Sequence, residues 1–509
     1  MQGSFTKNYI KIYFWQVISL LLGLASVFVV VPFLSKEPAI YGIYTICISV
    51  VIFLSYADLG FVGAGQKYAA ECYARGERGE ELKIIGFSGF ILLVFSILCS
   101  FLFAWLSFKP ELLVSNIKTE EQKVIASELF LILTFAAPFI ASIRILQMLY
   151  AIRLEEYILQ RIIIVGNIIK LLSALYFFRE GHYDVVGYFF FVQIVTVLVC
   201  VTGLLVACRR YQYKVSSVFK SLSFNKEIFI KTKSLAISSL VVTLSWIAYF
   251  ELDSMVIGKL IGAEEVALFA IGFTLLTYFR SFFGILFSPF SARFNHFVGE
   301  KKDNDLRNFF LHINKLTFSL TVFPIVIFVC LAHPFVIAWV GEQYEESVNV
   351  ARWLVLCNIY AFIAYPAGLL LIAKERIKAI YYIAIICPVI YWGGILGTYA
   401  WGGITSFALF KFVIFTLMAI IYLYLSKKIL GIKILTIWKQ VVAPYIPALC
   451  VIVLLAININ SLLLVEGKSK IELFKIIGIF IGLFVMAMGI NLVFVPALRN
   501  YIRKVVKSF

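Results

Sequence analysis

Long apolar runs separated by short polar segments make up most of this chain. None alternates with the period of a β-barrel strand, and each is close to the ~20 residues that cross a bilayer as a helix. Because backbone groups in hydrocarbon must be paired internally, the pattern predicts an all-α integral membrane protein of about fourteen transmembrane helices. The predicted spans are residues 10–34, 41–63, 84–108, 124–150, 160–178, 185–208, 234–258, 266–290, 310–339, 349–373, 379–399, 403–425, 440–460 and 472–495.

Basic residues set the predicted orientation. Cytoplasmic loops collect Lys and Arg, and placing the N-terminus inside assigns most of the 45 basic residues to inside segments. Both termini are therefore expected in the cytoplasm. The first apolar run is too long for a cleaved signal peptide, so we interpret it as the first span. The net charge of +17 then reflects topology and attraction to anionic membrane lipid, and nucleic acid is not an expected partner.

The two halves of the chain resemble each other at a separation of 222–225 residues. The matched pairs are KEPAIYGIYTICISVVIFLSYADLG (36–60) with GAEEVALFAIGFTLLTYFRSFFG (262–284), RGERGEELK (75–83) with VGEKKDNDLR (298–307), and QMLYAIRLEEY (147–157) with LLLIAKERIKA (369–379). Each predicted lobe has six helices, and an even number inserts both lobes the same way round. Transporters built from such parallel repeats bind substrate between the lobes and alternate access by rocking.

This organisation predicts four segments. They are an N-lobe of helices 1–6 (1–208), a basic cytoplasmic linker (209–233), a C-lobe of helices 7–12 (234–425), and two extra helices with a basic C-terminal tail (426–509). The loops are short on both sides and leave no room for a soluble catalytic domain.

We single out seven charged residues that lie within the apolar spans. A charge at the bilayer centre costs at least about 2.5–3.5 kcal/mol, so such residues usually face protein or a wet cavity. The basic ones outnumber the acidic ones, which suits an anionic cargo. We place Lys411 near the outer side, and Lys170, Arg144 and Arg280 in the inner half of the membrane. The alternative is that the charged side chains form structural ion pairs or extend to the interface.

Three of the carboxylates within the predicted spans are candidates for function, namely Glu251, Asp253 and Asp58. Glu251 and Asp253 are two residues apart, about 200° around an ideal helix, so they cannot share one face. On a straight helical hairpin Glu251 and Arg280 lie at different depths, so a simple ion pair between them is not expected. We therefore place these carboxylates on a transport path, with Asp58 near the cytoplasmic end of its helix.

Enzyme motifs are scarce. Asp303-Asn304-Asp305 matches a metal-binding DxD pattern, but it lies in a short charged loop whose repeat partner lacks the pattern. The His residues are far apart, no Cys or His pair has metal-ligand spacing, and no nucleotide-binding or nucleophile motif accompanies a suitable strand. The sequence therefore predicts a protein that is not an enzyme and holds no metal or cofactor.

Several short motifs resemble the polysaccharide transporter family, the Wzx-type O-antigen and capsule flippases. They are ADLGFVGAGQKYAAECYARGE (57–77), LDSMVIGKLIGAEEVALFAIGFTL (252–275), FSPFSARFNHFVGEKKDNDL (287–306) and the proline of TVFPIV (321–326). The chain departs from that family's pattern at Ala267 and at Gln66-Lys67. The family is similar in fold to multidrug and toxin extruders and to the lipid II flippase.

The resemblance implies a flippase that moves undecaprenyl-diphosphate-linked oligosaccharide across the bacterial inner membrane for O-antigen, capsule or exopolysaccharide synthesis. The diphosphate needs cations, for which the candidates are Arg280, Lys411, Lys170 and Arg144. The carboxylates Asp253, Glu251 and Asp58 are then gating or ion-coupling groups, with H+ or Na+ as the coupling ion. A polysaccharide polymerase and a chain-length regulator are the protein partners that such a role implies.

Three alternatives stay open at this point. A drug or cation antiporter of the same fold favours an acidic pocket, whereas the charge within these spans is mainly basic. A membrane polysaccharide polymerase or ligase typically has a large outer loop with catalytic Arg or His, and FKPELLVSNIKTEEQK (108–123), the longest outer segment, has neither. The third alternative is a structural membrane scaffold.

Overall fold

The protein is described by a computed structural model that covers residues 2–54, 58–114, 117–179, 181–463, 465–495 and 499. These residues form helices and turns, and no strand occurs among them. The all-helical prediction is therefore confirmed. The chain divides into two compact units, residues 1–267 and 268–509, and the division falls within one helix.

The first unit contains ten helices and the start of an eleventh within its described residues. They are α1 (Gln2–Leu34), α2 (Pro38–Leu54), α3 (Phe61–Ala74), α4 (Arg78–Phe108), α5 (Glu120–Ala151), α6 (Glu156–Phe177), α7 (Val185–Tyr211), α8 (Val215–Ser221), α9 (Lys226–Trp246), α10 (Asp253–Leu260) and α11 (Ala263–Phe287).

Polar residues mark where these helices begin. The Thr119 hydroxyl accepts the Gln122 backbone N–H at the start of α5, and the Asp184 carboxylate does the same for Gly187 at α7. At α9 the Asn225 side chain accepts two backbone N–H groups. Each cap satisfies donors that the first helical turn leaves without an intrahelical partner. In the packed unit α5 contacts α2, α3, α4, α6 and α7, while α9 and α10 pack against α3 and α2.

The second unit contains the rest of α11 and eight further helices within its described residues. They are α12 (Phe290–Gly299), α13 (Asp303–Val340), α14 (Ser347–Leu356), α15 (Ala361–Ala373), α16 (Ile377–Leu430), α17 (Ile434–Ile437), α18 (Ile446–Leu462) and α19 (Lys470–Phe494). The long helix α13 is the centre of this unit, because it contacts α12, α14, α15, α16, α18 and α19.

Eleven helices of the described chain are long and apolar enough to cross a membrane, or twelve if the bent pair α14 and α15 is one span. The protein is thus a multi-pass membrane protein. Two features separate this count from the predicted fourteen. The apolar helix α2 has only 17 residues, and α16 consists of two helices joined across a kink at the non-helical Gly403 (φ 52°, ψ −141°), the first residue of the predicted span 403–425. The count of fourteen, the cytoplasmic termini and the four predicted segments stay predictions.

Two turns occur in the same form in both units. Between α5 and α6, Leu154 has φ 54° and the Glu155 N–H donates to Tyr150 O at 3.0 Å. Between α15 and α16, Glu375 has φ 52° and the Arg376 N–H donates to Leu371 O at 2.9 Å. A residue other than glycine rarely adopts this left-handed conformation, so its recurrence in segments matched by sequence is informative.

The turn before α4 likewise resembles the turn before α13. Gly76 has φ 76°, and the Glu77 N–H donates to Cys72 O at 2.9 Å. At the corresponding place Lys301 has φ 56°, and the Lys302 N–H donates to Phe297 O at 3.1 Å. Matching turns of this kind are what an internal duplication requires.

Candidate functional site

A polar cavity of about 280 Å³ lies in the first unit, where α5 turns into α6. Arg144 and Gln147 contribute from α5, Glu156 and Gln160 from α6, and Gln66 from α3. The remaining lining residues are Gln16, Val62, Gly63, Met148, Ala151 and Leu159. The side chains i, i+3 and i+4 of a helix share one face, which explains why residues 144, 147, 148 and 151 meet the same space.

Arg144 is the one member of this cavity that the sequence predicted as an anion-binding residue. Its Nε is buried and has no hydrogen-bond partner in the described part of the chain. The guanidinium is a planar donor that cannot be deprotonated in a protein, so a buried N–H without a partner favours an acceptor from a ligand. Sequence reasoning missed the four glutamines, because an uncharged amide in or near an apolar run carries no charge signal.

A buried ion pair fixes the turn beside this cavity. Arg153 Nη2 lies 2.5 Å from Glu81 Oε1 on α4 and 2.8 Å from the Tyr213 hydroxyl, to which it donates. The guanidinium also lies over the rings of Tyr73 and Tyr211 at 4.7 and 4.2 Å. Burial raises the pKa of Tyr213 to about 12, so its hydroxyl stays neutral at physiological pH.

A second, more exposed pair lies next to it. Arg210 forms two hydrogen bonds to the Glu155 carboxylate at 2.6 and 2.7 Å, and the Tyr211 hydroxyl donates to the same group. The hydrogen bond from Arg210 lowers the pKa of Glu155. In the second unit the corresponding turn carries Lys374, which pairs with Asp303 at 2.8 Å. Asp303 of the DxD pattern is thus a partner of this turn.

Lys170 and Asp58 have local partners in the first unit. Lys170 Nζ donates to Thr196 Oγ1 at 2.8 Å, which joins α6 to α7. Because α6 begins at Glu156 and ends at Phe177, Lys170 lies nearer the end that leads to α7. Under the predicted orientation this end of α6 is the outer one, whereas the sequence analysis places Lys170 in the inner half, and the depth of Lys170 in the membrane stays a prediction. Asp58 is buried and accepts the Val62 backbone N–H at 3.1 Å, at the start of α3.

Glu251 and Asp253 flank a break in helical geometry. Residues Ile247–Glu251 form a π-helical turn after α9, and Asp253 is the first residue of α10. The straight helix assumed in the sequence-based geometry is therefore wrong. The Trp246 indole N–H donates to Glu251 Oε1 at 3.4 Å across this turn, and the Asp253 side chain is fully buried. Turns of π-helix often occur at functional sites.

Lys411 and Arg280 belong to one helix pair of the second unit. Lys411 on α16 is fully buried, and its Nζ lies 5.1 Å from the Tyr391 ring and 5.5 Å from the Phe273 ring of α11. Arg280 on α11 lies 5.7 Å from the ring of Phe415, one turn beyond Lys411 on α16. The two predicted cations therefore contact the same pair of helices, with their α16 contacts about 6 Å apart along the axis.

The structure thus distributes the predicted residues over several places. Arg144 lines a cavity with amides that were not predicted, and Lys411 and Arg280 share the α11–α16 contact. Lys170 joins α6 to α7, and Asp58 accepts a backbone N–H at the start of α3. Glu251 is the last residue of the π-helical turn, and Asp253 begins α10 after Leu252. No group of three or more His, Cys, Asp or Glu with the geometry of a metal site occurs in the described ranges.

The fold is similar to that of a solved lipid flippase and of solved multidrug transporters. The lipid II flippase MurJ in its inward closed conformation matches with a TM-score of 0.64 and 15% identity, over 96% of this chain and 99% of MurJ. An inward-facing MATE multidrug resistance transporter of the MOP superfamily matches with a TM-score of 0.63 and 17% identity, over 81% of this chain and 95% of that one. The fold similarity predicted from the sequence motifs is therefore confirmed.

A curated relative matches a smaller part of the chain. The teichuronic acid biosynthesis protein TuaB of Bacillus subtilis (strain 168) is 28% identical over 136 residues. The match covers 26% of this chain and spans 27% of TuaB, about a quarter of that relative's length. No protein-family model matches the chain. The resemblance to transporters and to a polysaccharide biosynthesis protein agrees with the prediction that the protein is not an enzyme.

Proposed function

We infer that the protein is a flippase that translocates lipid-linked oligosaccharide across the bacterial cytoplasmic membrane by alternating access, for polysaccharide biosynthesis. The observation that carries this inference is the polar chemistry placed inside the membrane-spanning units. Lys411 is fully buried among aromatic rings, and the Arg144 guanidinium lines a polar cavity. A lipid-linked saccharide combines a diphosphate, which needs cations, with hydroxyls, which need a polar wall.

The comparisons support the flippase over a drug transporter in one respect. The MurJ match extends over 96% of this chain, whereas the MATE match extends over 81%. The match to MurJ thus extends over more of this chain than the match to the MATE transporter. We propose that α18 and α19 are two C-terminal spans beyond a twelve-helix repeat, and that they accommodate a long lipid tail.

The relative TuaB supports polysaccharide biosynthesis as the process. We propose an undecaprenyl-diphosphate carrier, on which O-antigen, capsule or another acidic or neutral repeat unit is built. Arg280, Lys411, Lys170 and Arg144 are the proposed contacts for anionic groups along the path. Asp253, Glu251 and Asp58 are the proposed gating or coupling groups, with H+ or Na+ as the ion. A polymerase and a chain-length regulator are the proposed protein partners.

The experiment that tests this function uses a strain that lacks the gene. We expect completed lipid-linked repeat units to accumulate on the cytoplasmic leaflet, and the restored gene to clear them. The leaflet is read by the accessibility of the saccharide to a membrane-impermeant labelling enzyme in spheroplasts and in inverted vesicles. Single repeat units that accumulate on the outer leaflet would instead assign the protein to polymerisation.

A drug or cation antiporter of the same fold is the second candidate, because the MATE fold matches nearly as well. It predicts that the deletion strain becomes sensitive to cationic drugs and that its saccharide lipids stay unchanged. Measuring both properties in the same strain separates the two candidates.

A further inference from the structure

The cavity at the α5–α6 turn holds six polar side chains that have no hydrogen-bond partner on the described protein. They are Gln16, Gln66, Arg144, Gln147, Glu156 and Gln160, of which Gln66 and Gln147 are exposed and the other four are half-buried. Buried or half-buried polar groups in proteins are almost always paired with protein or water. The four half-buried groups around one space therefore indicate that the space suits a ligand that forms hydrogen bonds.

The kinds of hydrogen-bonding groups distinguish between the two polar parts of a lipid-linked saccharide. A diphosphate offers acceptors only, whereas each sugar hydroxyl both donates and accepts. Every glutamine amide offers two N–H donors and a carbonyl acceptor, and the Glu156 carboxyl group adds further acceptors. Such a mixed set complements hydroxyls. A diphosphate has no proton to donate, so the acceptors of these side chains would remain unpaired against it.

The charge of the cavity also favours a sugar over a diphosphate. Arg144 and Glu156 are its only charged members among the lining residues, and their formal charges cancel. A diphosphate carries more than one negative charge, so a negatively charged Glu156 repels it. Repulsion of this kind gives a binding site specificity against an unwanted ligand. A neutral sugar meets no such repulsion, and Arg144 can still accommodate a single carboxylate or acetamido oxygen.

The size of the cavity sets how much of the ligand fits. At about 280 Å³ it lies just below the roughly 300–1,000 Å³ of pockets that enclose drug-sized ligands. It therefore fits about one sugar residue and not a whole repeat unit.

We propose that this cavity is a sugar-recognition subsite that binds one residue of the saccharide and excludes the diphosphate, which is held elsewhere. The proposal rests on the proposed flippase function, because it assigns part of that substrate to part of the protein. It makes Gln147 and Gln160 specificity-determining residues, and Glu156 the group that discriminates against the diphosphate.

The test measures equilibrium binding of two lipids to the full-length protein in detergent. One is the saccharide lipid extracted from the deletion strain, and the other is bare undecaprenyl diphosphate. We expect Gln160→Leu and Gln147→Leu to weaken binding of the saccharide lipid by about three- to tenfold, the effect of losing one or two hydrogen bonds, and to leave the bare lipid unchanged. The matched control is Gln193→Leu, because Gln193 is buried in α7 outside the cavity.

A variant that binds a lipid more tightly than the wild-type protein cannot be explained by misfolding. Glu156→Gln is expected to tighten binding of the bare diphosphate lipid by about three- to tenfold, because a repulsive charge becomes an amide donor. An equal loss for both lipids in the glutamine variants, no loss for either, or an unchanged affinity of Glu156→Gln for the bare lipid would each overturn the proposal. A deletion strain without accumulated saccharide lipid refutes the flippase function itself, and the subsite with it.

Discussion

Arg153 and Glu81 form an ion pair that is almost entirely removed from solvent. Arg153 Nη2 lies 2.5 Å from Glu81 Oε1, with 6% and 0% of the two side chains exposed. Arg153 belongs to the turn that contains the left-handed Leu154 and leads into Glu156, a lining residue of the cavity. The ion pair therefore ties the position of the cavity wall to the first turn of α4.

Replacing Arg153 with Ala is expected to destabilise the protein strongly. The change leaves Glu81 buried without its cation, which typically costs about 3–5 kcal/mol. The measurement is the thermal unfolding temperature of the purified protein in detergent. The control is Lys83→Ala, which breaks the exposed pair with Glu80 and is expected to leave the unfolding temperature unchanged. Equal unfolding temperatures for the wild-type protein and Arg153→Ala would show that the pair contributes nothing.

Gly42 is expected to tolerate no side chain. A Cβ on this residue of α2 would lie 1.7 Å from the Ala263 carbonyl oxygen. Because that oxygen belongs to the backbone, a side-chain rotation cannot relieve the clash. Gly42→Ala should therefore separate α2 from the α10–α11 turn and lower both folded yield and unfolding temperature. Gly284→Ala in α11 is the matched control, since nothing lies within 4 Å of its Cβ. There the loss of glycine flexibility should be neutral or stabilising, by up to about 1 kcal/mol. Similar unfolding temperatures for the two variants would contradict the close contact.

Hydropathy predicted most of the fold because a bilayer allows few backbone solutions. Apolar runs near Glu120–Ala151 and Val185–Tyr211 can be little other than helices. Breaks within the runs were not predictable in the same way. The π-helical turn Ile247–Glu251 depends on packing between helices, which the pattern of apolar residues does not encode. The kink at Gly403, in contrast, coincides with the predicted boundary between the spans 379–399 and 403–425.

The candidate site was predicted only where it carries charge. Arg144 and Lys411 stood out because an ionised side chain is costly in hydrocarbon. Gln160 and Gln147 did not, and only the structure shows that they face the same space as Arg144. The partner of Glu251, the Trp246 indole, likewise depends on the π-helical turn between them.

Lys411 is expected to be required for transport through its charge. It is fully buried against the rings of Tyr391 and Phe273, so its ammonium attracts an anion with little screening by water. Lys411→Met should lower the initial rate of saccharide-lipid flipping in proteoliposomes by at least about tenfold, the effect of roughly 1.4 kcal/mol, and Lys411→Arg should retain part of the rate.

The control for Lys411 lies on the same helix. Lys427 is exposed near the end of α16, and Lys427→Met removes an equal charge from a position outside the path. A rate for Lys411→Met equal to that of Lys427→Met, at equal amounts of folded protein, would remove Lys411 from the proposed path.

Asp253 is expected to couple transport to an ion gradient. Its carboxylate is fully buried at the first residue of α10, directly after the π-helical turn, and a buried carboxylate of this kind can take up H+ or Na+ when the turn rearranges. Asp253→Asn keeps the size of the side chain and removes the charge. It should abolish the acceleration of flipping by an imposed pH or Na+ gradient, while flipping without a gradient persists at a lower rate.

Two comparisons make this result interpretable. Glu264→Gln, in an exposed pair with Lys118, should leave gradient-driven flipping unchanged. Glu251→Gln alters the carboxylate held by the Trp246 indole, and its effect separates the two acidic groups. If Glu251→Gln abolishes the acceleration by a gradient and Asp253→Asn does not, the coupling group is Glu251 in the π-helical turn. If Asp253→Asn still responds fully to both gradients, Asp253 is a structural residue, and its burial is explained by packing alone.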